Sequence, residues 1–122
     1  MGNTLIEADA TTLAAAIEFA ESQGPLAPQG SSGAGGLLLM YPDPQFKGGQ
    51  YRAEFPRNWG WATLESGIDQ KMSSCQVMRG TWVLFQEKHF KVPVKTVYEG
   101  KEYGSLEPGV ADRVLSVLCI RE

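Results

Sequence analysis

The feature that most constrains the fold is a duplication within the last two thirds of the chain. Residues 41–48 (YPDPQFKG) align with residues 85–92 (FQEKHFKV) at an offset of 44, and both segments read aromatic-x4-Phe-Lys. Residues 69–77 (DQKMSSCQV) align with residues 111–119 (ADRVLSVLC) at an offset of 42. Two matches in the same order and at a nearly constant offset indicate two copies of one unit of about 40 residues.

Short apolar segments separated by turn residues predict that both units are built from β-strands. Segments rich in β-branched and aromatic residues occur at 37–41, 50–55, 73–78, 81–85, 92–98 and 113–120. This spacing is typical of an all-β sandwich or barrel. Two units are too few for a propeller, which needs at least about four blades, so we predict two units closed face to face as an antiparallel sandwich. Residues 56–69 fit a loop, a turn of helix or a distorted strand equally well.

The first 36 residues differ in composition and are expected to form an arm outside the duplicated part. They carry a charge of −4, whereas residues 37–122 carry +1. Residues 12–22 favour a short helix. Its apolar residues share one face: Leu13, Ala16, Ile17 and Ala20. Residues 24–36 contain five glycines, two prolines and two serines, which is typical of a flexible tether. We therefore expect a flexible, part-helical arm over residues 1–36, whose helix either frays or docks on the domain or on a partner.

The duplicated unit resembles the Greek key motif of the βγ-crystallins. That motif combines aromatic-x4-Phe-x-Gly with a later pair of acidic or amide residues and a Ser/Thr-Ser step, as in YPDPQFKG and DQKMSS. FQEKHFKV and ADRVLS carry a degraded version in the second half. The resemblance covers residues 37–121. It implies one βγ-crystallin-like domain over 37–122, with two Greek key motifs at about 37–79 and 80–122 that form an antiparallel β-sandwich.

Each motif opens with a hairpin that two aromatic side chains close. Gly48 lets the first hairpin fold back tightly, because a side chain there would clash or need an unusual backbone dihedral. Tyr41 and Phe46 can then stack across the hairpin, and the second motif repeats this aromatic pair. Val92 stands where the first motif has Gly48, so we expect the second hairpin to be looser or rearranged.

The resemblance also implies calcium binding between the motifs, where the acidic loop of one meets the Ser or Thr of the other. The better candidate site combines Asp112, the Arg113 carbonyl and Ser73. Its counterpart is weaker, since Leu115 has no hydroxyl. Its remaining residues are Asp69, Gln70 and Lys71. Calcium takes about six to eight oxygen ligands, and the basic residues next to both loops oppose a cation. We therefore expect at most weak binding at one degenerate site, or a loop whose acidic residues serve the structure alone.

The other reactive residue types favour structural roles over catalysis. His89 is the single histidine and lies in a hairpin with no nucleophile-elbow sequence, so we expect no enzyme. Cys75 and Cys119 share an inward parity and are predicted to be buried thiols, or a disulfide if their strands come within bonding distance. The tryptophans are expected to fill the core, with a sugar-binding face as the alternative. They are Trp59, Trp61 and Trp82.

Composition narrows the classes of partner. No apolar run approaches the roughly 18–20 residues of a membrane span, and a nearly neutral body offers nothing that nucleic acid requires. No secretory signal is visible, so we expect a cytoplasmic location. The sequence predicts a non-enzymatic structural or binding domain with weak calcium affinity. The alternative is a protein-interaction module whose arm or aromatic surface engages a protein partner or a second copy, with an inhibitor or toxin on the same fold as a more distant reading.

Overall fold

The computed structural model describes residues 3–26 and 35–121, and within these ranges the chain forms one helix and nine strands. In chain order they are β1 (Thr4–Glu7), α1 (Ala10–Gln23), β2 (Gly36–Tyr41), β3 (Tyr51–Phe55), β4 (Trp59–Thr63), β5 (Ser74–Arg79), β6 (Thr81–Glu87), β7 (Lys91–Val97), β8 (Glu102–Tyr103) and β9 (Ser116–Arg121). Most of the tether predicted at 24–36 lies outside the described residues.

The strands form two antiparallel sheets, and the predicted all-β sandwich is confirmed. One sheet has the order β1-β4-β9-β6-β7 and the other the order β3-β2-β5-β8. Each of the six predicted segments contains a strand. The undecided stretch 56–69 resolves into β4 and the start of a turn, while β1 and β8 had no prediction.

The central core lies between the two sheets and receives side chains from both. Trp82 is fully buried there, and Cys75 and Cys119 are buried and unbonded to each other, which confirms the free inward thiols. Trp59 and Trp61 are partly buried and pack against the same core. The structure thus supports the prediction that the tryptophans fill the core.

Equivalent contacts close the two hairpins. The Ser74 hydroxyl accepts a hydrogen bond from the Phe46 N–H at 3.0 Å and donates to the Asp43 carbonyl at 2.7 Å. Ser116 makes the corresponding two contacts in the second motif at 3.1 and 2.6 Å. Each serine is fully buried and fastens its own hairpin down onto the last strand of the motif. A serine at this position therefore satisfies a backbone donor and a backbone acceptor that the fold buries.

The expectation of a looser second hairpin is wrong. The rings of Phe85 and Phe90 lie 5.7 Å apart, against 5.6 Å for the aromatic pair of the first motif. Val92 keeps the shape of the glycine it replaces by adopting a φ of +56°, in the left-handed region where Gly48 has +91°. The contacts of Ser116 and the two rings hold this geometry although a β-branched residue rarely adopts it.

The described part of the arm differs from a flexible appendage, because it packs on the five-stranded sheet. β1 pairs with β4 and forms the edge of that sheet. α1 lies across the outer face with Ala16 and Ala20 buried. The predicted helical face is confirmed, since Leu13 and Ile17 join these alanines in a second apolar cluster. Of the alternatives left open for the helix, the structure shows docking on the chain's own domain.

The second cluster exists because two central strands are apolar on both faces. Val83 and Phe85 of β6, with Leu118 and Ile120 of β9, point outward and are buried beneath the arm. Their neighbours along each strand point into the central core. A sheet with one solvated face would alternate apolar and polar residues, so these strands require a layer on each side.

Candidate functional site

Two equivalent turns place the predicted calcium residues at one end of the sandwich. The Asp112 N–H donates to the Met72 carbonyl at 3.0 Å, and the Gln70 N–H donates to the Val114 carbonyl at 3.1 Å. Asp112 and Gln70 both lie in the left-handed region, with φ of +62° and +54°. Each turn is therefore held by the segment that follows the other turn, which brings the two motifs together as the resemblance implied.

The better candidate site assembles from both motifs. The Ser73 hydroxyl donates to Asp112 Oδ1 at 3.1 Å and lies 3.4 Å from the Lys71 carbonyl oxygen. Arg113 continues the turn after Asp112, and its N–H donates to the Val110 carbonyl. The structure thus brings Asp112 and Ser73 together, with Arg113 next to them in sequence.

The Lys71 side chain contacts the backbone of its own turn. Its ammonium donates to the Ser66 carbonyl at 3.0 Å, within the first turn. The backbone oxygen of Lys71 lies near the Ser73 hydroxyl, whereas its ammonium contacts Ser66. The sequence gives no signal for this contact.

The second candidate site lacks the matching oxygens. Gln70 occupies the place of Asp112, and Leu115 occupies the place of Ser73 and uses its N–H to bond the Phe85 carbonyl. Asp69 donates its N–H to the Glu65 carbonyl and helps to form the turn. Across the described residues, no three His, Cys, Asp or Glu side chains gather as they would around a metal ion. The two candidate sites therefore differ in the side-chain oxygens they offer.

Glutamates open both turns and show how each is built. The Glu107 carbonyl accepts the N–H groups of Val110 and Ala111 at 3.0 Å each, and Glu65 does the same for the first turn. A hydrogen bond from its own backbone N–H, together with the Lys95 ammonium, lowers the pKa of the Glu107 carboxyl.

A contact between the arm and the first turn had no signal in the sequence. Asn3, just before β1, accepts the Glu65 N–H through its side-chain oxygen at 2.8 Å. The docked arm therefore touches the turn that carries Gln70 and Lys71.

The remaining reactive residues lie apart from this site. His89 is in the second hairpin, where its backbone N–H donates to the Ala62 carbonyl at 2.8 Å. Burial raises the pKa of the Cys75 thiol to about 12, so this sulfur is a core group and a poor nucleophile.

The fold and the site define a class: a β-sandwich of two motifs, each with a hairpin pinned by a serine, and with paired turns where the motifs meet. The family model for Beta/Gamma crystallin matches residues 38–120. The chain therefore belongs to the βγ-crystallin family. No curated protein matches the chain.

Solved structures agree with this assignment. The chain is similar to a βγ-crystallin from an archaeon, with 20% identity and a TM-score of 0.60, over 70% of this chain and 99% of that one. It is similar to the fifth crystall domain of the non-lens protein Absent in melanoma 1, with 25% identity and a TM-score of 0.59, over 75% and 94%. A βγ-crystallin from Ciona intestinalis gives 26% identity and a TM-score of 0.58, over 69% and 99%.

Both comparisons leave part of this chain uncovered. The family match begins at residue 38, after β1 and α1. The three structures are covered almost completely and match between 69% and 75% of this chain. The one helix in the described residues is too short and too polar to cross a membrane.

Proposed function

We propose that this chain is a non-enzymatic βγ-crystallin-like structural domain that binds one calcium ion weakly where its two motifs meet. The observation that carries the proposal is the 3.1 Å approach of Ser73 Oγ to Asp112 Oδ1, since these two oxygens come from different motifs. A cation bound to both would link the motifs and stabilise the domain.

The donor set fits a weak site. Asp112 supplies one carboxylate and Ser73 supplies a hydroxyl. The backbone carbonyls of Lys71, close to Ser73 in sequence, and of Arg113, next to Asp112, offer neutral oxygens. Since calcium takes about six to eight oxygens, water would complete the shell, and we expect a dissociation constant on the order of 1 mM, as in low-affinity modules. The second site, with Gln70 and Leu115, does not fit calcium.

Neither His89 nor Cys75 is placed to act in catalysis. His89 is held by its backbone in a hairpin, and the Cys75 thiol is buried with a raised pKa. A catalytic nucleophile needs a base within hydrogen-bond reach, and neither residue is part of such a pair among the contacts described.

Calcium titration followed residue by residue in NMR spectra tests the proposal, with a thermal melt in parallel. At 10 mM calcium a site of about 1 mM affinity stabilises the fold by about 1.4 kcal/mol. We expect saturable shifts at the amides of Asp112, Arg113 and Ser73 and a rise in melting temperature of a few degrees. Shifts that follow magnesium or ionic strength equally, or no shift at all, would contradict a calcium site.

Matched variants separate this site from a general effect of salt. Asp112→Asn keeps a residue that tolerates the left-handed backbone and removes the charge, so it should abolish the calcium response. Gln70→Asn at the equivalent position should leave the response unchanged. The double variant Gln70→Asp with Leu115→Ser rebuilds the second site and should add a second binding event.

The alternative function, an interaction module that uses its arm, has a specific observation on its side. The arm lies before the family match, and it covers an apolar face of the five-stranded sheet. Comparison of the full chain with an Ala20→Asp variant in pull-down and sedimentation experiments tests whether a partner gains access when the arm is loosened.

A further inference from the structure

The arm meets the domain through two kinds of contact that any copy of the same sheet could offer. β1 adds a strand to the edge at β4, and the Thr4 and Thr63 hydroxyls lie 2.7 Å apart across this pair. α1 packs against β7 and β9, and its small side chains share one apolar cluster with the outward-facing residues of the sheet. Neither contact depends on the chain that connects the arm to β2.

The far end of the helix docks imperfectly. Gln23 accepts the Thr96 N–H through its side-chain oxygen at 3.0 Å, and Gly24 lies against the Tyr98 ring. The hydroxyls of Thr96 and Tyr98 are buried without a hydrogen-bond partner. Water would satisfy both hydroxyls if the arm detached, so part of the stability that docking gains is offset there.

The two ends of the connection between the arm and the domain lie on opposite faces of the five-stranded sheet. Gly24 lies on the outer face of the five-stranded sheet, beside Tyr98, whereas Gly36 lies on its inner face, where an added Cβ would meet Cys119 and Trp82. Packed layers are about 10 Å apart. The sequence APQGSSGA at 27–34 has the composition of a tether and could lead to either of two neighbouring domains.

From these observations we infer that the arm exchanges between copies: β1 and α1 of one chain dock on the five-stranded sheet of a second copy, and the reverse contact closes a two-fold dimer. Exchange keeps every contact of the arm and changes only the path of the tether. A connection of tether composition gives an arm an effective concentration of about 1 mM at its own domain. Exchanged arms should therefore be about 1% of the total at 10 μM protein and about half at 1 mM.

Shortening the tether tests the inference, because it removes the competing contact within one chain. Deletion of residues 27–34 joins Leu26 directly to Gly35 through one peptide unit of about 3.8 Å, too short to pass from one face of the sheet to the other. We expect this variant to be a dimer at micromolar concentration in light scattering coupled to gel filtration. A variant with the same eight residues replaced by Gly and Ser should stay monomeric.

A disulfide across the β1–β4 pair reports which chain supplies the arm. Thr4→Cys and Thr63→Cys are made together in the full-length chain and in the deletion variant, oxidised in the native state, alkylated and run on a non-reducing gel. The native Cys75 and Cys119 are buried and do not compete. Full-length protein at micromolar concentration should give an internally bonded monomer, and the deletion variant a covalent dimer.

Mixing full-length chains that carry Thr4→Cys alone with chains that carry Thr63→Cys alone completes the test. A covalent heterodimer forms only if an arm docks on another copy, and its fractional yield should rise about fiftyfold between 10 μM and 1 mM total protein. The inference would be overturned if the deletion variant were a monomer, either with an internal disulfide or with no disulfide. It would also be overturned if the mixed single-cysteine chains gave no heterodimer at any concentration.

Discussion

Replacing Val92 by glycine is expected to stabilise the protein, although the change removes a side chain from a strand. Val92 has a φ of +56°, the conformation that Gly48 adopts at the equivalent place in the first motif. The side chain is 46% exposed and belongs to neither apolar cluster. The substitution therefore relieves backbone strain and loses little buried surface.

The magnitude follows from two opposing terms. A left-handed conformation costs an ordinary residue about 1–2 kcal/mol, and β-branching places valine near the upper end of that range. Glycine returns roughly 0.5–1 kcal/mol of that gain, because it loses more backbone freedom on folding. The net expectation is an increase of about 1 kcal/mol in the free energy of unfolding, or a rise of a few degrees in melting temperature.

Urea titrations and thermal melts of three variants measure this effect. Lys91→Gly also replaces a residue of β7 by glycine, but Lys91 lies outside the left-handed region, so this change relieves no backbone strain. It should lower the free energy of unfolding by roughly 0.5–1 kcal/mol. Gly48→Ala should destabilise more, since an added Cβ would lie 2.7 Å from both Pro42 Cγ and Asp43 Oδ2. If Val92→Gly destabilised the fold as much as Lys91→Gly, the account of strain would be refuted.

Three further predictions concern the arm and the core. Ala16→Asp, which buries a carboxylate beneath α1, should lower the free energy of unfolding by about 2–3 kcal/mol in urea, whereas Ala14→Asp on the exposed side of the helix should change it by less than about 0.5 kcal/mol. Asp9 caps the N-terminus of α1 by accepting the Thr12 N–H, and this hydrogen bond lowers the pKa of the Asp9 carboxyl. The stability that the cap provides is therefore present above the unfolded pKa of 3.8 and is lost as the pH falls through the folded value. Far-UV circular dichroism should show this acid-dependent loss of helix in the native chain and not in Asp9→Ser. Burial raises the pKa of the Cys75 thiol from 9.0 to about 12, so the free energy of unfolding should decline as the pH rises through that interval. A Cys75→Ala variant should show a smaller decline, and an equal decline in both proteins would contradict the raised pKa of this thiol.

The first hairpin could be predicted because the residue pattern that predicts it spans only a few neighbouring positions. The aromatic pair and glycine of the first hairpin predict its closure, and the structure has it. The second hairpin was misjudged at Val92, because one unfavourable dihedral is outweighed by contacts that no local pattern reports. Those contacts are the ring of Phe85 against Phe90 and the buried hydroxyl of Ser116. Strain at a single residue is therefore a weak argument against a motif whose other contacts are intact.

The candidate site was predictable in its residue types and not in its electrostatics. Asp112 and Ser73 meet because two copies of one motif pack about an approximate two-fold axis, which the duplication already implies. The direction of the Lys71 ammonium toward Ser66 depends on how the turn closes, and long side chains on a surface have many alternatives. The position of Lys71 in the sequence therefore does not tell where its charge lies relative to this site.

The sequence signal that a segment covers the five-stranded sheet lies in strands β6 and β9 and not in the arm itself. β3 alternates exposed and buried residues, as a strand with one solvated face should, whereas residues 81–85 and 116–120 are apolar or small throughout and buried at every position. Such runs in an antiparallel sheet need cover on the outer face. In the other sheet β2 is buried throughout as well, and there Phe46 of the first hairpin packs on its outward side chains. Within the described residues, the segment before residue 27 is the one outside the family match, and its apolar helical face is the complement those strands need. The side chains of Val83 and Leu118 therefore predict a covering segment, and the composition of the arm tells only which segment it is.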